Sequence, residues 1–382
     1  MYISDLQTLL RERGHESHWL SIVRSDNEFK VARQGGREWQ LANIHAVCSF
    51  LDSYILQNDI DIINIHSLFE PTIISYCLQI KPVIKFCHSP VMVCPGRDKF
   101  WRKSERICDI KYGLHCFRHI YSEGCANRHP ARVVKAWKYV NFEIKNAAKR
   151  YGKIIVMSDY MQNGLLECGV PLEQIDVNPY FTNLSHRENV NQRATKKNIL
   201  YAGRLISSKG PHILLEAIAD TLRSNSDVSL DIIGDGNMRQ ELENKVSILG
   251  LSDKVMFHGW KGREQIKVLM ENCYVFALPS IYPEAFGIVG IEAMACSKPV
   301  VAYNVGGVST WLRNNKTGFL IERGDRLEFR TAIENLINDP VLYRSMSNAA
   351  YDEALRRFTP DTHMARLISI FESCIHYPRR SV

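Results

Sequence analysis

The chain lacks long apolar runs. Its 382 residues contain no stretch of about 18 apolar residues, the length that a bilayer-spanning helix needs. The start, Met-Tyr-Ile-Ser-Asp-Leu-Gln, has neither the basic region nor the apolar region of a signal peptide. With 45% hydrophobic and 23% charged residues, the composition is that of a soluble globular protein. We therefore expect a cytoplasmic protein that is neither an integral membrane protein nor a secreted one.

Closely paired cysteines are also missing. There are 11 cysteines, an odd number, and no two have C-x2-C spacing. Most of them sit singly in apolar contexts, which favours reduced thiols in a cytoplasmic protein. Cys94, Cys108, Cys116 and Cys125 nevertheless cluster in one segment, and four thiolates could hold a structural zinc ion. Free thiols in a mobile loop are the favoured interpretation, and we expect no metal and no cofactor.

Acidic residues are scarce between residues 97 and 153. This segment has 15 Lys and Arg against 5 Asp and Glu, although the whole chain carries a net charge of only +7. Aromatic side chains lie among the charges: Phe100, Trp101, Tyr112, Phe117, Tyr121, Trp137, Tyr139 and Phe142. Basic and aromatic residues together suit an anionic membrane surface or a lipid diphosphate. Nucleic acid would satisfy the same charges, and a solvated basic face is the plain alternative. We expect a peripheral membrane contact and no nucleic acid.

The remaining chain alternates short β-branched runs with amphipathic stretches, which predicts α/β layers with parallel sheets. In the first half we predict strands at His18–Val23, Ile60–Ile65, Val83–Cys87 and Ile154–Met157, and helices at Tyr2–Arg13, Ile44–Leu56 and Ala131–Lys149. After a polar connector from about Thr182 to Lys197, a second series begins. It comprises strands near residues 198–202, 230–233, 255–257, 275–278, 300–303 and 318–320, and helices near 211–222 and 238–249. Two doubly wound domains with a cleft at the carboxyl ends of both sheets follow from this order.

A turn with two carboxylates precedes an apolar segment in the second series. The segment reads Glu284-Ala-Phe-Gly-Ile-Val-Gly-Ile-Glu292, and we predict a helix that begins near Phe286. A helix start offers free backbone N–H groups and a positive dipole end, which suit a diphosphate. Gly287 and Gly290 would allow a ligand to approach the backbone. A capped helix with a polar N-terminus remains the plain alternative.

The E-x7-E pattern resembles the donor-site signature of the retaining glycosyltransferases of family 4. Other blocks agree with it: Tyr201-Ala-Gly-Arg-Leu-Ile-Ser-Ser-Lys-Gly210, Ile232-Ile-Gly-Asp-Gly236, Val255-Met-Phe-His-Gly259, Gly306-Gly307 and Thr317-Gly318. The resemblance is close from about Ile154 onward and looser before it. It implies the GT-B fold, with an acceptor-side domain over residues 1–181 that has an insertion at about 94–130, and a nucleotide-sugar domain over 198–360. The final segment, 361–382, would return to the first domain.

The resemblance also implies the roles of individual residues. Arg204 and Lys209 would contact the diphosphate of a nucleotide sugar, where leaving-group charge develops, and Gly203 would permit backbone approach. Glu284 would bind the sugar ring and Glu292 the ribose hydroxyls, with the backbone of Phe286, Gly287, Ile288 and Val289 facing sugar and phosphate. The two glutamates lie on one segment and do not flank a bond as glycosidase carboxyls do. No protein nucleophile is implied, because the leaving phosphate itself would take the acceptor proton.

Residues at other strand ends complete the predicted site. His88 follows the strand Val83–Cys87, where family members carry a histidine that reaches the donor sugar, although Ser89 here replaces the usual acid. His66 is a weaker candidate on the acceptor side. Gly236, with Gly259 and Trp260, would shape the base pocket. A structural role is the alternative for each histidine.

The opening of the chain departs from the family pattern. Family members begin with a strand and a glycine-rich loop, whereas this sequence begins within the following helix, which ends at Arg13-Gly-His15. The fold is therefore expected to lack the first strand of its first domain, which would expose a sheet edge. A start codon assigned too far downstream is the favoured explanation, and loss of part of the site is the other.

The sequence thus predicts a metal-independent hexosyltransferase of the retaining type. Its partners would be a nucleotide sugar, a saccharide or polyprenyl-diphosphate-linked acceptor, and the inner face of the membrane, in bacterial surface polysaccharide or lipopolysaccharide synthesis. Two alternatives stay open: a non-catalytic nucleotide-sugar-binding or scaffolding subunit, and a sugar-nucleotide epimerase of the same fold. The missing loop favours the first alternative, and the retained donor-side residues oppose it.

Overall fold

The computed structural model describes residues 2–24, 28–34, 36–185 and 196–375. In the first half the helices are α1 (Tyr2–Glu12), α2 (Ile44–Gln57), α3 (Pro71–Ile80), α4 (His115–Glu123), α5 (Pro130–Phe142) and α6 (Asp159–Glu167). The strands there are β1 (Leu20–Arg24), β2 (Phe29–Arg33), β3 (Glu38–Leu41), β4 (Ile63–Ile65), β5 (Val83–Cys87), β6 (Phe100–Trp101), β7 (Arg106–Ile107), β8 (Lys153–Val156) and β9 (Ile175–Val177).

The second half has strands β10 (Lys197–Ala202), β11 (Val228–Ile233), β12 (Val255–Gly259), β13 (Val275–Leu278), β14 (Val300–Tyr303) and β15 (Gly318–Ile321). Its helices are α7 (Pro211–Ser224), α8 (Arg239–Ile248), α9 (Arg263–Asn272), α10 (Ile288–Ala295), α11 (Arg326–Asn338), α12 (Pro340–Arg357) and α13 (Pro360–Ile375). Residues 186–195 of the predicted connector and residues 376–382 of the predicted final segment lie outside the described residues.

Two parallel sheets organise the chain, one in each half. The first has the order β4-β5-β8-β9 and the second the order β12-β11-β10-β13-β14-β15. Strands β5, β13 and β14 are buried along their whole length, as expected where helices cover both faces of a parallel sheet. The predicted α/β class with two Rossmann-like domains is confirmed.

The first domain differs from the prediction near its start. The strand expected at His18–Val23 is Leu20–Arg24, and it pairs antiparallel with β2 in a separate three-stranded sheet with β3. The prediction missed β2 and β3, because runs of five and four residues repeat the apolar–polar alternation of a strand too few times to stand out. Among the described residues no strand covers the outer edge of β4. The strand expected at Ile60–Ile65 is shorter in the structure, where β4 comprises only Ile63–Ile65.

The helix predicted at Ala131–Lys149 is interrupted. Regular α-helix ends at Phe142, and Glu143–Ala147 form a π-helical turn. Glu143 lies at the start of that turn with no exposed surface, and its Oε1 lies 3.0 Å from Nζ of the equally buried Lys85 on β5. The wider turn therefore coincides with a buried ion pair that sequence periodicity does not reveal.

The last helix, α13, packs on the first domain. It contacts α1 and β5, and the amide of Asn178 donates to the carbonyl of His363 at 3.3 Å. The phenol of Tyr2 and His363 Nε2 are also hydrogen-bonded at 2.9 Å. The two ends of the described chain therefore meet beside the first sheet.

Candidate active site

Arg204 and Lys209 lie after the carboxyl end of β10, the third strand of the second sheet. Lys209 ends a single 3-10 turn over Ser207–Lys209. The carbonyl of Ser208 in that turn accepts hydrogen bonds from the amides of Ile281 and Tyr282, both at 3.1 Å. These bonds join the loop after β10 to the loop after β13, which carries Glu284.

The structure brings Lys209 and Glu284 into direct contact. Lys209 Nζ lies 2.6 Å from Glu284 Oε1 and 4.9 Å from the centroid of the Tyr282 ring. Glu284 is only 8% exposed, so its carboxylate is held by one cation in a confined place. Arg204 is exposed, and its guanidinium pairs with no carboxylate of the described ranges. The site thus offers one compensated and one uncompensated cation to an anionic ligand.

Glu284 and Arg204 act on the same two phenols. Burial raises the pKa of Tyr201 and of Tyr282; Glu284 raises both further, whereas Arg204 lowers both. The hydroxyl of Tyr201 also donates to the backbone carbonyl of Arg204 at 2.9 Å, and Tyr282 lies under Lys209, so these rings connect the two loops. The predicted grouping of Arg204, Lys209 and Glu284 is therefore present in the folded chain.

The helix after Glu284 begins slightly later than predicted. α10 starts at Ile288, and its N-cap Gly287 has a positive φ of 87°, a conformation that glycine adopts at little cost. Phe286 is buried, while Gly287, Ile288 and Val289 are partly exposed. The open N-terminal turn of α10 therefore follows the Lys209–Glu284 pair directly, with the positive end of its dipole at the site.

Gly290 does not serve ligand approach, contrary to the prediction. A Cβ there would lie 2.0 Å from a ring atom of Trp311. The indole of Trp311 fills this space, is fully buried, and donates from Nε1 to the carbonyl of Phe286 at 2.6 Å. Trp311 packs against Gly290 and bonds to Phe286, and so holds the turn before α10 in place. Sequence reading placed this glycine on the wrong side of the helix.

Glu292 lies in the second turn of α10 and is partly exposed. Burial raises its pKa to about 7, and the positive charge of Arg263 opposes that rise. Arg263, at the start of α9, pairs with Asp5 of α1 at 3.2 Å. Glu292 and the pair of Arg263 with Asp5 therefore connect α10 to α9 and to α1 of the first domain.

Three glycines predicted to line the donor pocket lie at neighbouring strand ends. Gly203 follows β10, Gly236 follows β11 and Gly259 ends β12. A Cβ on Gly236 would lie 2.4 Å from the carbonyl oxygen of Leu205, so this glycine permits close packing of two loops. Trp260, directly after Gly259, is 79% exposed. An exposed indole beside these loops could stack on a flat base.

His88 lies at the carboxyl end of β5 and belongs to a hydrogen-bonded chain of rings. Its Nε2 is 2.8 Å from Nδ1 of His66, and its Nδ1 is hydrogen-bonded to the hydroxyl of Tyr180 at 2.5 Å. Burial lowers the pKa of His66 to about 3 and that of His88 to about 4. Both rings are therefore neutral at pH 7, and a sugar would have to replace one of the two partners of His88.

Tyr180 connects His88 to the donor side. Its ring is 5.7 Å from that of Phe286, in an edge-to-face arrangement. Tyr2 also packs against His88, with ring centroids 5.7 Å apart. Sequence reading missed Tyr2 and Tyr180, and no local motif marks them. For Tyr180, the available signal was its position as an aromatic residue shortly after the end of a strand, β9.

The two domains also meet through polar contacts beside the site. Ser158 Oγ donates to the carbonyl of Ala285 at 2.6 Å, and the ring of Phe100 is 5.9 Å from that of Tyr282. Glu105 accepts from the hydroxyl of Ser207 through its carboxylate and from Arg323 through its backbone carbonyl. The insertion at 94–130 therefore touches the loops that carry Lys209 and Glu284.

Cys94, Cys108, Cys116 and Cys125 form no disulfide, and burial raises the pKa of each thiol. Within the described ranges, no three His, Cys, Asp or Glu residues are arranged to hold a metal ion.

Two family profiles match the chain in succession. The profile described as Glycosyltransferase Family 4 matches residues 1–186, and that described as Glycosyl transferases group 1 matches residues 183–353. Together they cover both Rossmann-like domains and every predicted site residue. The chain belongs to the family 4 type of glycosyltransferases with the GT-B fold.

Individual relatives agree with this family. The α-D-kanosaminyltransferase of Streptomyces kanamyceticus is 34% identical over 40% of this chain and 39% of its own length. The D-inositol 3-phosphate glycosyltransferase of Streptomyces scabiei is 32% identical over 47% of this chain and 42% of its own length. The alignments thus span less than half of these two curated relatives.

Solved structures share the fold. Anabaena HepE in complex with UDP superposes with a TM-score of 0.63 and 20% identity, over 86% of this chain and 82% of its own. The pneumococcal O-GlcNAc transferase GtfA in complex with UDP and GlcNAc gives a TM-score of 0.65 and 15% identity, over 94% of this chain and 70% of its own. At these identities the likeness concerns the fold alone.

Proposed function

We propose that the protein is a retaining, metal-independent glycosyltransferase that moves a hexose-type sugar from a nucleoside diphosphate to a saccharide or lipid-linked acceptor. The observation that carries this proposal is the contact of Lys209 with Glu284 beside the exposed Arg204 and the N-terminus of α10. A diphosphate that gains charge as the sugar departs needs such fixed cations and N–H donors. HepE and GtfA, which have this fold, were solved with UDP.

We propose distinct roles for the two glutamates. Glu284 is paired with Lys209, so it orients the sugar hydroxyls and the lysine and does not attack the anomeric carbon. Glu292 accepts hydrogen bonds from the ribose hydroxyls. The departing phosphate takes the proton of the acceptor hydroxyl, and the sugar is transferred to the face that the phosphate leaves. The anomeric configuration is therefore retained.

A panel of nucleotide sugars tests the proposal. We expect one uridine or guanosine diphosphate sugar to raise the melting temperature and to be hydrolysed slowly without acceptor. Arg204→Ala should weaken its binding by about 10- to 150-fold, because a charge-assisted contact contributes about 1.5–3 kcal/mol. Arg223→Ala is the matched control, since Arg223 is an exposed arginine on α7 that pairs with Asp220.

The outcomes separate the proposal from its alternatives. Absence of binding to every nucleotide sugar would contradict the transferase function. Binding without hydrolysis or transfer would support the non-catalytic subunit instead, and interconversion of the free sugar nucleotide would support the epimerase. NMR of the transferred sugar gives its anomeric configuration, and an inverted product would refute the retaining mechanism.

We further propose that the enzyme works at an anionic membrane surface, in surface polysaccharide or lipopolysaccharide synthesis. Within the described residues no helix is both long and apolar enough to cross a bilayer. The insertion exposes Leu114, Arg118 and Tyr121, and α5 exposes Lys135 and Lys138. Such a mixture of basic and apolar groups suits lipid headgroups, and each basic group contributes about 1 kcal/mol near an anionic surface.

Vesicle sedimentation tests the membrane contact. The protein should sediment with vesicles that contain phosphatidylserine and stay in solution with pure phosphatidylcholine. The double variant Lys135→Glu, Lys138→Glu should lose most of this binding, whereas Lys316→Glu, an exposed site of the second domain, should keep it. Equal sedimentation of the two variants would rule out this surface.

A further inference from the structure

A cavity of about 280 Å³ lies in the first domain between the insertion and α6. Its wall is mostly apolar and is formed by Pro90, Met92, Val93, Ile107, Met161 and Leu165, among other residues. Asp109, Asn163 and Glu167 also line it and are exposed, so they mark its mouth. We call it the insertion cavity. None of the residues assigned so far to the donor site lines it.

The insertion cavity lies beside both halves of the reaction site. Ser89, which follows His88 at the end of β5, lines it. Tyr160 lines it from α6, two residues after Ser158, which bonds to the donor loop at Ala285. A group held in this cavity is therefore adjacent to the place where the donor sugar would lie.

Lys99 supplies an unusual charge to this apolar space. It lines the cavity and is only 8% exposed. Its Nζ donates to the carbonyl of Ile110 at 2.7 Å, and no carboxylate of the described residues pairs with it. A buried ammonium group is costly unless an anion or several acceptors compensate it. One carbonyl leaves two of its three N–H donors for a ligand.

Tyr160 contributes a second polar group whose hydrogen bonding is not satisfied within the described residues. Its hydroxyl is shielded from solvent and, within the described part of the chain, has no hydrogen-bond partner. A buried hydroxyl without a partner destabilises the protein, so a ligand oxygen in the cavity would relieve this cost. A cation, a hydroxyl donor and an apolar wall thus converge on one space.

The wall also contains a glycine inside a helix. Gly164 lies in the middle of α6, where glycine is unfavourable compared with alanine. A Cβ there would meet only a methyl group of Val93 at 3.7 Å, so packing does not exclude a larger residue. The absence of a side chain at this position keeps the cavity open.

We infer that the insertion cavity binds the phosphate-bearing end of a lipid-linked acceptor, with Lys99 contacting the phosphate, Tyr160 an oxygen of the ligand, and the apolar wall the first part of the hydrocarbon chain. This inference rests on the proposed transferase function and names its acceptor class. The carboxylates of Asp109 and Glu167 stay at the solvated mouth, where water and salt screen them. The sugar to be extended would project past Ser89 toward the donor.

The test uses farnesyl diphosphate as a soluble probe, with farnesol and inorganic diphosphate as matched partial ligands. Calorimetry is done with the full chain, with the donor site saturated by the nucleoside diphosphate found in the panel above, so that Arg204 and Lys209 are occupied. Farnesyl diphosphate should bind at least about tenfold more tightly than either partial ligand. Equal binding of farnesol, or of inorganic diphosphate, would overturn the inference.

Substitutions of residues that line the cavity test whether the probe binds there. Lys99→Gln should weaken farnesyl diphosphate about tenfold, whereas Lys103→Gln, an exposed site of the same insertion, should not. Tyr160→Phe should raise the melting temperature of the free protein and weaken the probe. Affinity should fall through the series Gly164→Ala, Gly164→Leu and Gly164→Met as the cavity fills.

Nucleotide binding distinguishes the possible failures. Each variant should still bind the nucleoside diphosphate as the unaltered chain does, which shows that it is folded. If the nucleotide binds but Gly164→Met and Lys99→Gln leave the probe unaffected, the cavity is not the acceptor site, while the transferase function stands. If no nucleotide binds to the unaltered chain, the transferase function itself fails.

Discussion

The buried ion pair between Lys85 and Glu143 gives the sharpest stability prediction. Neither side chain has exposed surface, and Nζ lies 3.0 Å from Oε1. Glu143 Oε2 also accepts from the hydroxyl of Tyr151 at 2.9 Å, and Tyr139 donates to Oε1. Lys85→Met would leave the carboxylate buried with two phenols and no cation.

The magnitude follows from this environment. Removing one partner of a buried pair costs about 3–5 kcal/mol, because the other charge remains uncompensated. The double variant Lys85→Met, Glu143→Gln leaves no charge: the glutamine carbonyl accepts from one phenol, and its NH2 group donates to the oxygen of the other. We therefore expect it to lose only about 1–3 kcal/mol. The second change should thus restore part of what the first removes.

Hydrogen exchange at the amides of β5 and β8 measures the free energy of opening in the first domain without requiring the two domains to unfold together. Lys30→Met is a suitable control, because its pair with Glu38 is solvent-exposed and should contribute at most about 1 kcal/mol. A loss below about 1 kcal/mol for Lys85→Met, or a double variant as unstable as the single one, would refute the reasoning.

Three further predictions concern the site. Because burial raises the pKa of Glu292 to about 7 and ribose hydroxyls prefer the ionised carboxylate, calorimetry should show nucleotide-sugar affinity falling below about pH 7, by at most tenfold per pH unit; Glu292→Gln should remove this slope, and a steep slope in that variant would contradict the assignment. Gly290→Ala should lower the free energy of unfolding by about 1–3 kcal/mol, because its Cβ would clash with Trp311, and Trp311→Phe should relieve part of the loss in thermal unfolding; a neutral Gly290→Ala would show that the turn is loosely packed. The neutral ring of His88, whose pKa burial lowers to about 4, should contribute stability that is complete above about pH 6.5 and is lost toward pH 4, by at most about 1.4 kcal/mol per pH unit; urea unfolding of His88→Gln should show a shallower acid loss, and an unchanged slope would assign the loss to other groups.

The contact between Lys209 and Glu284 was predictable because the signals for both loops are local. The segment Tyr201–Gly210 contains, in order, a strand end, a glycine, an arginine and a lysine. Glu284 lies just before a predicted helix, and Glu292 follows Glu284 by eight residues within that helix. Parallel strands bring such loops to the same edge of a sheet. The pairing of Lys209 with Glu284 then follows from the adjacency of β10 and β13.

What sequence reading missed depends on contacts between distant residues. The partners of His88 come from His66 and Tyr180, which are 22 and 92 positions away. Gly290 is explained only by Trp311, from the other side of the turn. The antiparallel strands β2 and β3 were missed because runs of five and four residues contain too few repeats of the apolar–polar alternation that distinguishes a strand from a loop.

The insertion makes contacts with the second domain that its composition did not predict. Composition indicated a basic, cysteine-containing loop with free thiols, and a loop held only at its ends would be mobile. In the fold, Glu105 engages Ser207 and Arg323 of the second domain, and Phe100 packs against Tyr282. Ser207 opens the same 3-10 turn that Lys209 ends. One segment therefore both lines the insertion cavity and contacts the turn that ends at Lys209, which a loop held only at its ends would not do.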